Sequence, residues 1–510
     1  MPLLATDRYA RRNRAFAAAL LCLAALRPGN ALAQSASEGG ALLRPSIRAG
    51  GGTGGDADIF SDGGIGQDER DRQLAEPVDL QRALPLSDEG QGRAQSASAE
   101  PPVASDPDVQ PPGPRDNMRT GAVEPGVASP ADEDPFLPTG FRVGTWQAFT
   151  RLEQALGYTT NTTNVAGGQA GAVSRTKAGV TLRSDWARHE ASVEANGSLD
   201  HFVTGEESDV PQADLAGALR LDLVDGIVAN LRAGYVYSTE ATNSDALGGG
   251  VADRPGVHAY GASAELVRSG GKLDFSLRGS ADRTVYDQAL TTGGGLLDQS
   301  DRDNTLYQAT ARAGYGVSEA MRPFLQAGIG RRIHDLTVDR NGEERDSTLY
   351  DLRVGLAVDL GEKLRGEAAL GYLAEVFDDS GLKTLDTPTF NANLVWSPER
   401  ETQVTFSAAT SLSGSTTAGE SGSSTQSFGV EIDRRIRERL SGHADVGLEI
   451  DTLHATGDRD LTWTAGAGLK YWINRFMGVT ADVGYERLES SDPASSYDAA
   501  TVTLGIALQR

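Results

Sequence analysis

From Leu461 to Tyr485, apolar side chains alternate with small or polar ones along two successive segments of the chain. Every second residue between Leu461 and Tyr471 is apolar, a short turn follows, and the alternation resumes from Met477 to Tyr485. A period of two indicates a β-strand with one apolar face, because successive Cβ atoms point to opposite sides of a sheet. Trp463 and Tyr471 share that face, and at ~3.3 Å per residue and a tilt of ~40° they are about 20 Å apart along the membrane normal. The pattern predicts strands that face lipid, with an aromatic side chain at each rim.

The composition fits this interpretation, and the net charge argues against one class of partner. The chain has 510 residues, 39% of them hydrophobic, and a mean hydropathy of −0.35. No segment after the leader approaches the ~20 apolar residues of a membrane helix. A β-barrel escapes hydropathy analysis because its polar face dilutes the average. The formal net charge of −24 argues against nucleic acid as a partner, since phosphates need a basic surface.

Residues 1–33 have the pattern of a secretory signal peptide. Four arginines between positions 8 and 14 precede the apolar run Ala15–Leu26, and Ala31–Ala33 provides a small-x-small cleavage site. The single cysteine, Cys22, lies within this segment. Cleavage before Gln34 predicts a mature protein with neither disulfides nor thiol chemistry.

Residues 34–138 differ in composition from the rest of the chain. They hold 13 of the 21 prolines and contain neither Trp nor Tyr. Such a segment cannot bury enough apolar surface to offset the entropy of ordering, so we predict a disordered Pro/Gly-rich periplasmic tether. A weak helical pattern over residues 67–86 leaves a transient helix or a partner-binding patch open.

Residues 139–510 predict an all-β domain, a single closed antiparallel transmembrane β-barrel. All five Trp and twelve of the thirteen Tyr lie here. Eighteen alternating segments can be marked, each near the ~9–11 residues needed to cross a bilayer at a slant. They cover residues 143–157, 175–186, 189–203, 214–223, 227–238, 257–268, 273–285, 303–316, 321–333, 347–360, 364–376, 388–397, 402–411, 425–434, 440–451, 461–471, 476–486 and 497–508.

The joins between these segments alternate in length. Joins after even-numbered segments are short, as at 187–188 and 361–363, whereas joins after odd-numbered segments are long and polar, as at 239–256. Outer-membrane barrels have short periplasmic turns and long extracellular loops. We therefore predict 18 strands, with 16 as the alternative, and a lumen too wide for side chains to fill. A soluble β-propeller is the structural rival, because hairpins repeat every ~40 residues, but no blade signature repeats.

The start of the barrel carries a family resemblance. Asp134–Gly144 (DPFLPTGFRVG) leads into the first strand, and Gly157, Tyr158 and Asn161 follow at its end. This segment resembles the start of the putative beta-barrel porin 2 family of bacterial outer-membrane proteins, over about 134–510. The resemblance implies a porin-like protein of undefined substrate. The chain departs from the family pattern at Thr160, where an acidic residue is usual, and in lacking a terminal aromatic residue.

The sequence predicts no catalytic, metal or cofactor site. His443, Asp445 and Glu449 share the polar face of one segment, but the segment order places them near the periplasmic mouth. Asp451 and His454 are expected at the extracellular end, but no nucleophile or oxyanion arrangement can be named beside them. The six histidines show no metal-ligand spacing.

Charged residues on the polar faces are expected to line water, because Arg facing lipid near the midplane costs ~2–4 kcal/mol. Two roles stay open for them: a transverse field across a solvated lumen, or neutralising ladders within the wall, such as Arg353 with Glu367. Phe202 and Phe324 are candidates for inward aromatic side chains, and the charged loop Asp335–Arg345 for an inward-folding constriction. The predicted pore-lining residues are Arg232, Asp274, Arg278, Arg312, Asp351, Arg353, Arg365, Glu367, Glu431 and Glu449.

These patterns together predict an outer-membrane porin-like channel for passive diffusion of small hydrophilic solutes. The expected partners are outer-membrane lipid and lipopolysaccharide, the barrel assembly machinery and the solutes themselves, with monomer and homo-oligomer both open. The expected location is the outer membrane of a Gram-negative bacterium, reached after export across the inner membrane. Two alternatives stay open: a conduit for (poly)saccharide export or secretion, and a surface adhesin or structural barrel.

Overall fold

The computed structural model describes residues 136–204, 209–224, 226–240, 251–491, 493 and 495–510. The predicted signal peptide and all of the predicted tether before residue 136 lie outside these ranges. In the part of the chain that is described, no helix is long and apolar enough to cross a membrane.

The described residues form 21 strands, numbered here in chain order. Eighteen of them are 12 to 16 residues long, and the other three are short. The strands are β1 (Phe141–Val143), β2 (Trp146–Thr159), β3 (Gly171–Ser184), β4 (Glu190–Phe202), β5 (Val210–Asp222), β6 (Ile227–Thr239), β7 (Gly256–Gly270), β8 (Leu273–Tyr286), β9 (Ala289–Leu290), β10 (Leu296–Leu297), β11 (Asn304–Tyr315), β12 (Met321–His334), β13 (Ser347–Asp359), β14 (Leu364–Phe377), β15 (Leu385–Glu399), β16 (Thr402–Gly414), β17 (Gly422–Arg437), β18 (Leu440–Leu453), β19 (Arg459–Asn474), β20 (Met477–Glu489) and β21 (Tyr497–Gln509).

The 18 long strands form one closed antiparallel sheet. Each long strand pairs with the long strands before and after it in the chain, and β2 closes the ring with β21, placing Ala155 opposite Gly505. The short strands lie outside this order, because β1 folds back on β2 and the β9–β10 hairpin lies in the connection from β8 to β11. Closure gives each long strand a partner strand on both sides. The predicted closed barrel of 18 strands is confirmed.

Alternation along each strand sorts the side chains onto two surfaces. On β13, Tyr350, Leu352 and Val354 are exposed, whereas Asp351 and Arg353 between them are buried. In a membrane barrel the exposed apolar side chains face lipid, and the polar side chains face the interior. We call these two directions outward and inward.

The two ends of the barrel differ in the length of their connections. At one end, β7 and β8 are joined by residues 271–272 and β13 and β14 by 360–363. At the other, β6 and β7 are joined by 240–255 and β12 and β13 by 335–346. The chain begins β2 and ends β21 at the short-turn end. In outer-membrane barrels short turns face the periplasm and long loops face outside.

Candidate functional site

The predicted pore-lining residues all lie on inward faces of their strands. Arg278 shows the arrangement, because it is buried while Leu277, next to it on β8, is exposed. The ten residues are distributed as Arg232 on β6, Asp274 and Arg278 on β8, Arg312 on β11, Asp351 and Arg353 on β13, Arg365 and Glu367 on β14, Glu431 on β17 and Glu449 on β18.

The predicted wall ladder between Arg353 and Glu367 is wrong in its partners. The β13–β14 register places Arg353 opposite Gly371 and Glu367 opposite Ala357, so the two side chains lie far apart along the strands. Arg353 instead donates through Nε to Asp351 on its own strand, at 2.8 Å. Ion pairing within the wall was correctly anticipated, but its partners depend on a register that the alternation alone does not supply.

Glu367 is paired across three strands by an arginine that lies on an aromatic ring. Arg312 on β11 donates through Nη2 to Glu367 on β14 at 2.6 Å. Its guanidinium carbon lies 3.5 Å from the ring centroid of Phe324 on β12. A Cβ at Gly355 on β13 would come within 2.3 Å of that ring, so the missing side chain lets Phe324 lie flat on the wall. Phe324 is thus inward, as the alternation predicted.

A second charged cluster lines the wall where the two ends of the barrel meet. On β3, Arg175 donates through Nε to Asp200 of β4 at 2.6 Å. On β20, Asp482 lies 3.6 Å from Nε2 of His443 on β18, and Thr480 donates to Glu153 of β2 at 3.5 Å. His443 therefore faces a carboxylate from two strands away. The alternation did not predict this cluster, because its two halves, on β2–β4 and on β18–β20, meet only through the pairing of β2 with β21.

In the ranges that the structure describes, no group of three or more His, Cys, Asp or Glu side chains is arranged to hold a metal ion.

The ladder between β15 and β16 covers only the short-turn half of these strands. Backbone pairing ends at Ala392 opposite Ala408, whereas β16 and β17 remain paired as far as Gly414 opposite Gly422. Beyond Ala408 the β16–β17 hairpin separates from β15, while β17 stays paired with β18 as far as Ser423 opposite Leu453. We call residues 409–426 the arm.

The outer face of the arm lies against the inner face of β14 and β15. Leu412, whose position along β16 would otherwise face lipid, is buried in one cluster with the inward Leu373 and Leu385. Nε2 of Gln426 donates to Oγ1 of Thr387, which also faces inward, at 3.3 Å. Because outward side chains of the arm contact inward side chains of the wall, the arm lies inside the barrel.

Where β15 no longer pairs with β16, side chains accept hydrogen bonds from its backbone N–H groups. The backbone N–H of Asp386 donates to Nε2 of His454 at 3.3 Å, and that of Phe390 donates to Oγ1 of Thr410 at 3.0 Å. Pro388, between them, has no N–H to satisfy. Unpaired strand edges are a liability, and proline within sheets is confined to such edges. The inward position of the arm is therefore built into the sequence of β15.

The connection 335–346, which we call the inward loop, reaches from β12 across the barrel mouth. At one side, Arg340 donates through Nε and Nη2 to the two carboxylate oxygens of Asp301, each at 2.6 Å. At the other side, Nδ2 of Asn341 donates to the carbonyl of Thr416, at the tip of the arm, at 2.7 Å. The charged loop Asp335–Arg345 thus folds inward, as proposed from its sequence.

Arg345 is the main link between the inward loop and the arm. Its guanidinium donates through Nε to Asp339 at 2.9 Å and through Nη2 to the carbonyl of Thr417 at 3.0 Å. It also donates to the Glu343 carboxylate and to the carbonyl of Glu420. The Arg345 side chain is only 3% exposed and that of Asp339 is fully buried. Hydrogen bonds to charged groups are about twice as strong as neutral ones, so this contact holds the tip of the arm, whose β17 strand is also held by its ladder with β18.

Carboxylates anchor the inward loop at its β12 side. Burial raises the pKa of the Asp301 carboxyl, but the hydrogen bonds and charge of Arg340 outweigh it and hold that pKa below its usual value. Hydrogen bonds from Arg283 likewise lower the pKa of Asp335. A carboxyl with a lowered pKa stabilises the folded state above its usual pKa, and the contribution is lost as pH falls through the lowered value.

We therefore expect the inward loop to stay ordered from neutral pH down to about pH 4, the ordinary pKa of Asp, and to loosen only below it. The measurement is the mobility of a nitroxide spin label attached at the exposed Val338 (Val338→Cys in a Cys22→Ser background). A label that becomes mobile between pH 7 and pH 5 would show that these carboxylates do not hold the loop.

Family comparison places this barrel among known proteins. The family described as putative beta-barrel porin 2 matches residues 134–510, the whole of the barrel. The chain belongs to this family. It is a porin-like outer-membrane β-barrel, and the resemblance found in Asp134–Gly144 is confirmed.

Solved structures similar to this barrel porin include a copper transporter, a siderophore receptor and OccK2. The copper transporter OprC is 9% identical with a TM-score of 0.41, covering 73% of this chain and 82% of that chain. The siderophore receptor PiuA from Acinetobacter baumannii is 10% identical with a TM-score of 0.40, covering 73% and 83%. OccK2 (OpdF) from Pseudomonas aeruginosa is 12% identical with a TM-score of 0.38, covering 71% and 97%. No curated protein matches the chain.

Proposed function

We propose that this barrel porin is a channel for passive diffusion of small hydrophilic solutes across the outer membrane. The observation that carries the proposal is the composition of the inner wall. Inward positions hold accessible charges of both signs, such as Arg312 and Glu367, with side chains 25% and 36% exposed, and Arg322 and Asp274, with side chains 31% and 22% exposed. A wall of this kind replaces part of the hydration of a polar solute and offers nothing to an apolar one.

The proposal includes the surroundings of the channel. Outward apolar side chains would contact outer-membrane lipid and lipopolysaccharide, and the barrel assembly machinery would insert the chain after export by the predicted signal peptide. No catalysis, metal or cofactor enters the proposed transport.

Reconstitution tests the proposed channel. The purified barrel in planar bilayers should give a steady current that is linear with voltage, and liposomes containing it should swell in small neutral sugars. Electrically silent insertions, with no swelling, would contradict passive diffusion.

The inward loop and arm favour a second candidate, a conduit for (poly)saccharide export that opens only with a periplasmic partner. Their contacts across the mouth suit a passage that is closed at rest. Deleting residues 34–133 separates the two, because a porin would still conduct whereas a partner-dependent exporter would lose export.

A further inference from the structure

We propose that the arm sets the size limit of the lumen and that Arg345 is its positioning residue. This inference rests on the proposed channel function. It assigns to residues 409–426 a role that the family match does not supply, because that match identifies the barrel and not what narrows it.

The distance that the contacts span shows how far the arm enters the barrel. The inward loop begins between β12 and β13, and the arm between β16 and β17, four strand positions further around the ring. Neighbouring strands lie about 4.8 Å apart, so the two attachment points are about 19 Å apart along the wall. Direct hydrogen bonds between Asn341 and Thr416 and between Arg345 and Thr417 therefore need both segments to leave the wall and meet over the lumen.

The connections on either side of the arm confirm its displacement. Lys383, in the connection from β14 to β15, lies with Nζ 3.5 Å from the carbonyl of Ala455, in the connection from β18 to β19. The attachment of the arm lies between these two connections in strand order. Their contact agrees with an arm that is displaced from the wall between them.

The composition of the arm suits an internal position. From Ser411 to Thr425 it consists almost entirely of Ser, Thr, Gly and Ala, with Leu412 and Glu420 as the larger side chains. Ser413 and Ser423 are buried although they lie on a hairpin tip. Small side chains let two strands fit inside an occupied lumen, and their hydroxyls present a polar surface to the remaining opening.

Arg345 determines the position of the arm through the turn at its tip. It donates to the carbonyls of Thr417 and Glu420, which are themselves joined by a hydrogen bond from the N–H of Glu420 to the carbonyl of Thr417 at 3.1 Å. Glu343, held by Arg345, accepts a further bond from the N–H of Gly419 at 2.8 Å. Loss of the guanidinium thus removes two direct bonds and frees the carboxylate that holds a third.

The test compares the pore of Arg345→Ala with that of the native chain. Because β17 stays paired with β18 along the arm, loss of Arg345 should free the tip of the arm and its β16 strand. Single-channel conductance should therefore rise, by less than the roughly twofold increase that removal of a whole two-stranded arm of about 10 Å by 10 Å cross-section would give. The largest polyethylene glycol that enters the pore should grow as well. Arg331→Ala is the matched control, because Arg331 makes an equivalent pair with Asp378 on the outward side and its loss should leave both readouts unchanged.

Two further variants keep the inference falsifiable if Arg345→Ala does not assemble. Leu412→Ser weakens the other anchor of the arm and should enlarge the pore in the same direction. A further test joins Leu385→Cys to Leu412→Cys, in a Cys22→Ser background, with a short bis-methanethiosulfonate, which forms a disulfide to each cysteine and releases methanesulfinate. The link should hold an enlarged Arg345→Ala pore at its native size until it is reduced.

The outcomes separate this inference from the proposed channel. Native conductance with no change of size limit in Arg345→Ala or Leu412→Ser would overturn the role of the arm and leave the channel standing. A silent native protein that conducts when the arm is released would support the role of the arm and overturn passive diffusion.

Discussion

Leu277→Arg lowers the free energy of unfolding of the barrel by about 2–4 kcal/mol, because it places a charge on the lipid-facing surface in the membrane interior. Leu277 lies on β8 with its side chain 58% exposed, which in a membrane means covered by hydrocarbon. The measurement is urea-dependent unfolding from lipid vesicles, followed by tryptophan fluorescence.

Ser280→Arg is the matched control on the same strand. Ser280 faces inward, opposite Gln308 of β11 and Ser263 of β7, which are also polar and inward. An arginine there meets water or polar side chains, so we expect little change in unfolding free energy. Equal destabilisation by the two substitutions would mean that the surfaces of the sheet are not divided between hydrocarbon and water.

Glu375→Ala is expected to cost about 3–5 kcal/mol of unfolding free energy, because it removes the counter-charge of a buried arginine. Glu375 on β14 accepts from Nε of Arg332 on β12 at 2.8 Å, and the two side chains are 1% and 4% exposed. Ser347, on the intervening β13, also donates to this carboxylate. Equilibrium unfolding in the same vesicle assay measures the loss.

Removing both charges separates the cost of an uncompensated charge from the value of the pair. Apolar replacement of a buried ion pair is often neutral, whereas breaking it is strongly destabilising. We therefore expect Arg332→Met with Glu375→Leu to be more stable than Glu375→Ala alone. The opposite order would show that the pair contributes stability beyond the neutralisation of Arg332.

The strands of this barrel were predictable because each is a local pattern. Leu352 and Val354 alternate with Asp351 and Arg353 within one short stretch. This stretch predicts a strand without any information about residues far away in the sequence. Segment bounds were less accurate where the pattern is diluted. The segment 175–186 begins four residues late against β3, because Ala172 and Ser174 are too small to mark a face.

Pairings between side chains were not predictable to the same degree. Arg353 and Glu367 were matched by charge, yet the turn 360–363 sets a register that separates them. Arg175 with Asp200 and His443 with Asp482 each pair within one end of the domain, and closure between β2 and β21 brings the two pairs into one cluster. Register and closure are long-range properties that alternation does not specify.

The arm was missed although two signals mark it. Pro388 lies within a strand, which favours a free edge at that point. The run from Ser411 to Thr425 has Leu412 as its one large apolar side chain and is otherwise almost entirely Ser, Thr, Gly and Ala. Read together, these features predict a hairpin that leaves the wall beside β15.

The most direct test of a water-filled passage is the current through Ser280→Cys in a Cys22→Ser background. A bulky, charged methanethiosulfonate added from either side of a planar bilayer should reduce an existing current in steps, because Ser280 faces the lumen. Leu277→Cys, which faces lipid, should not respond. Absence of current before the reagent, or equal response of the two positions, would contradict an open polar lumen.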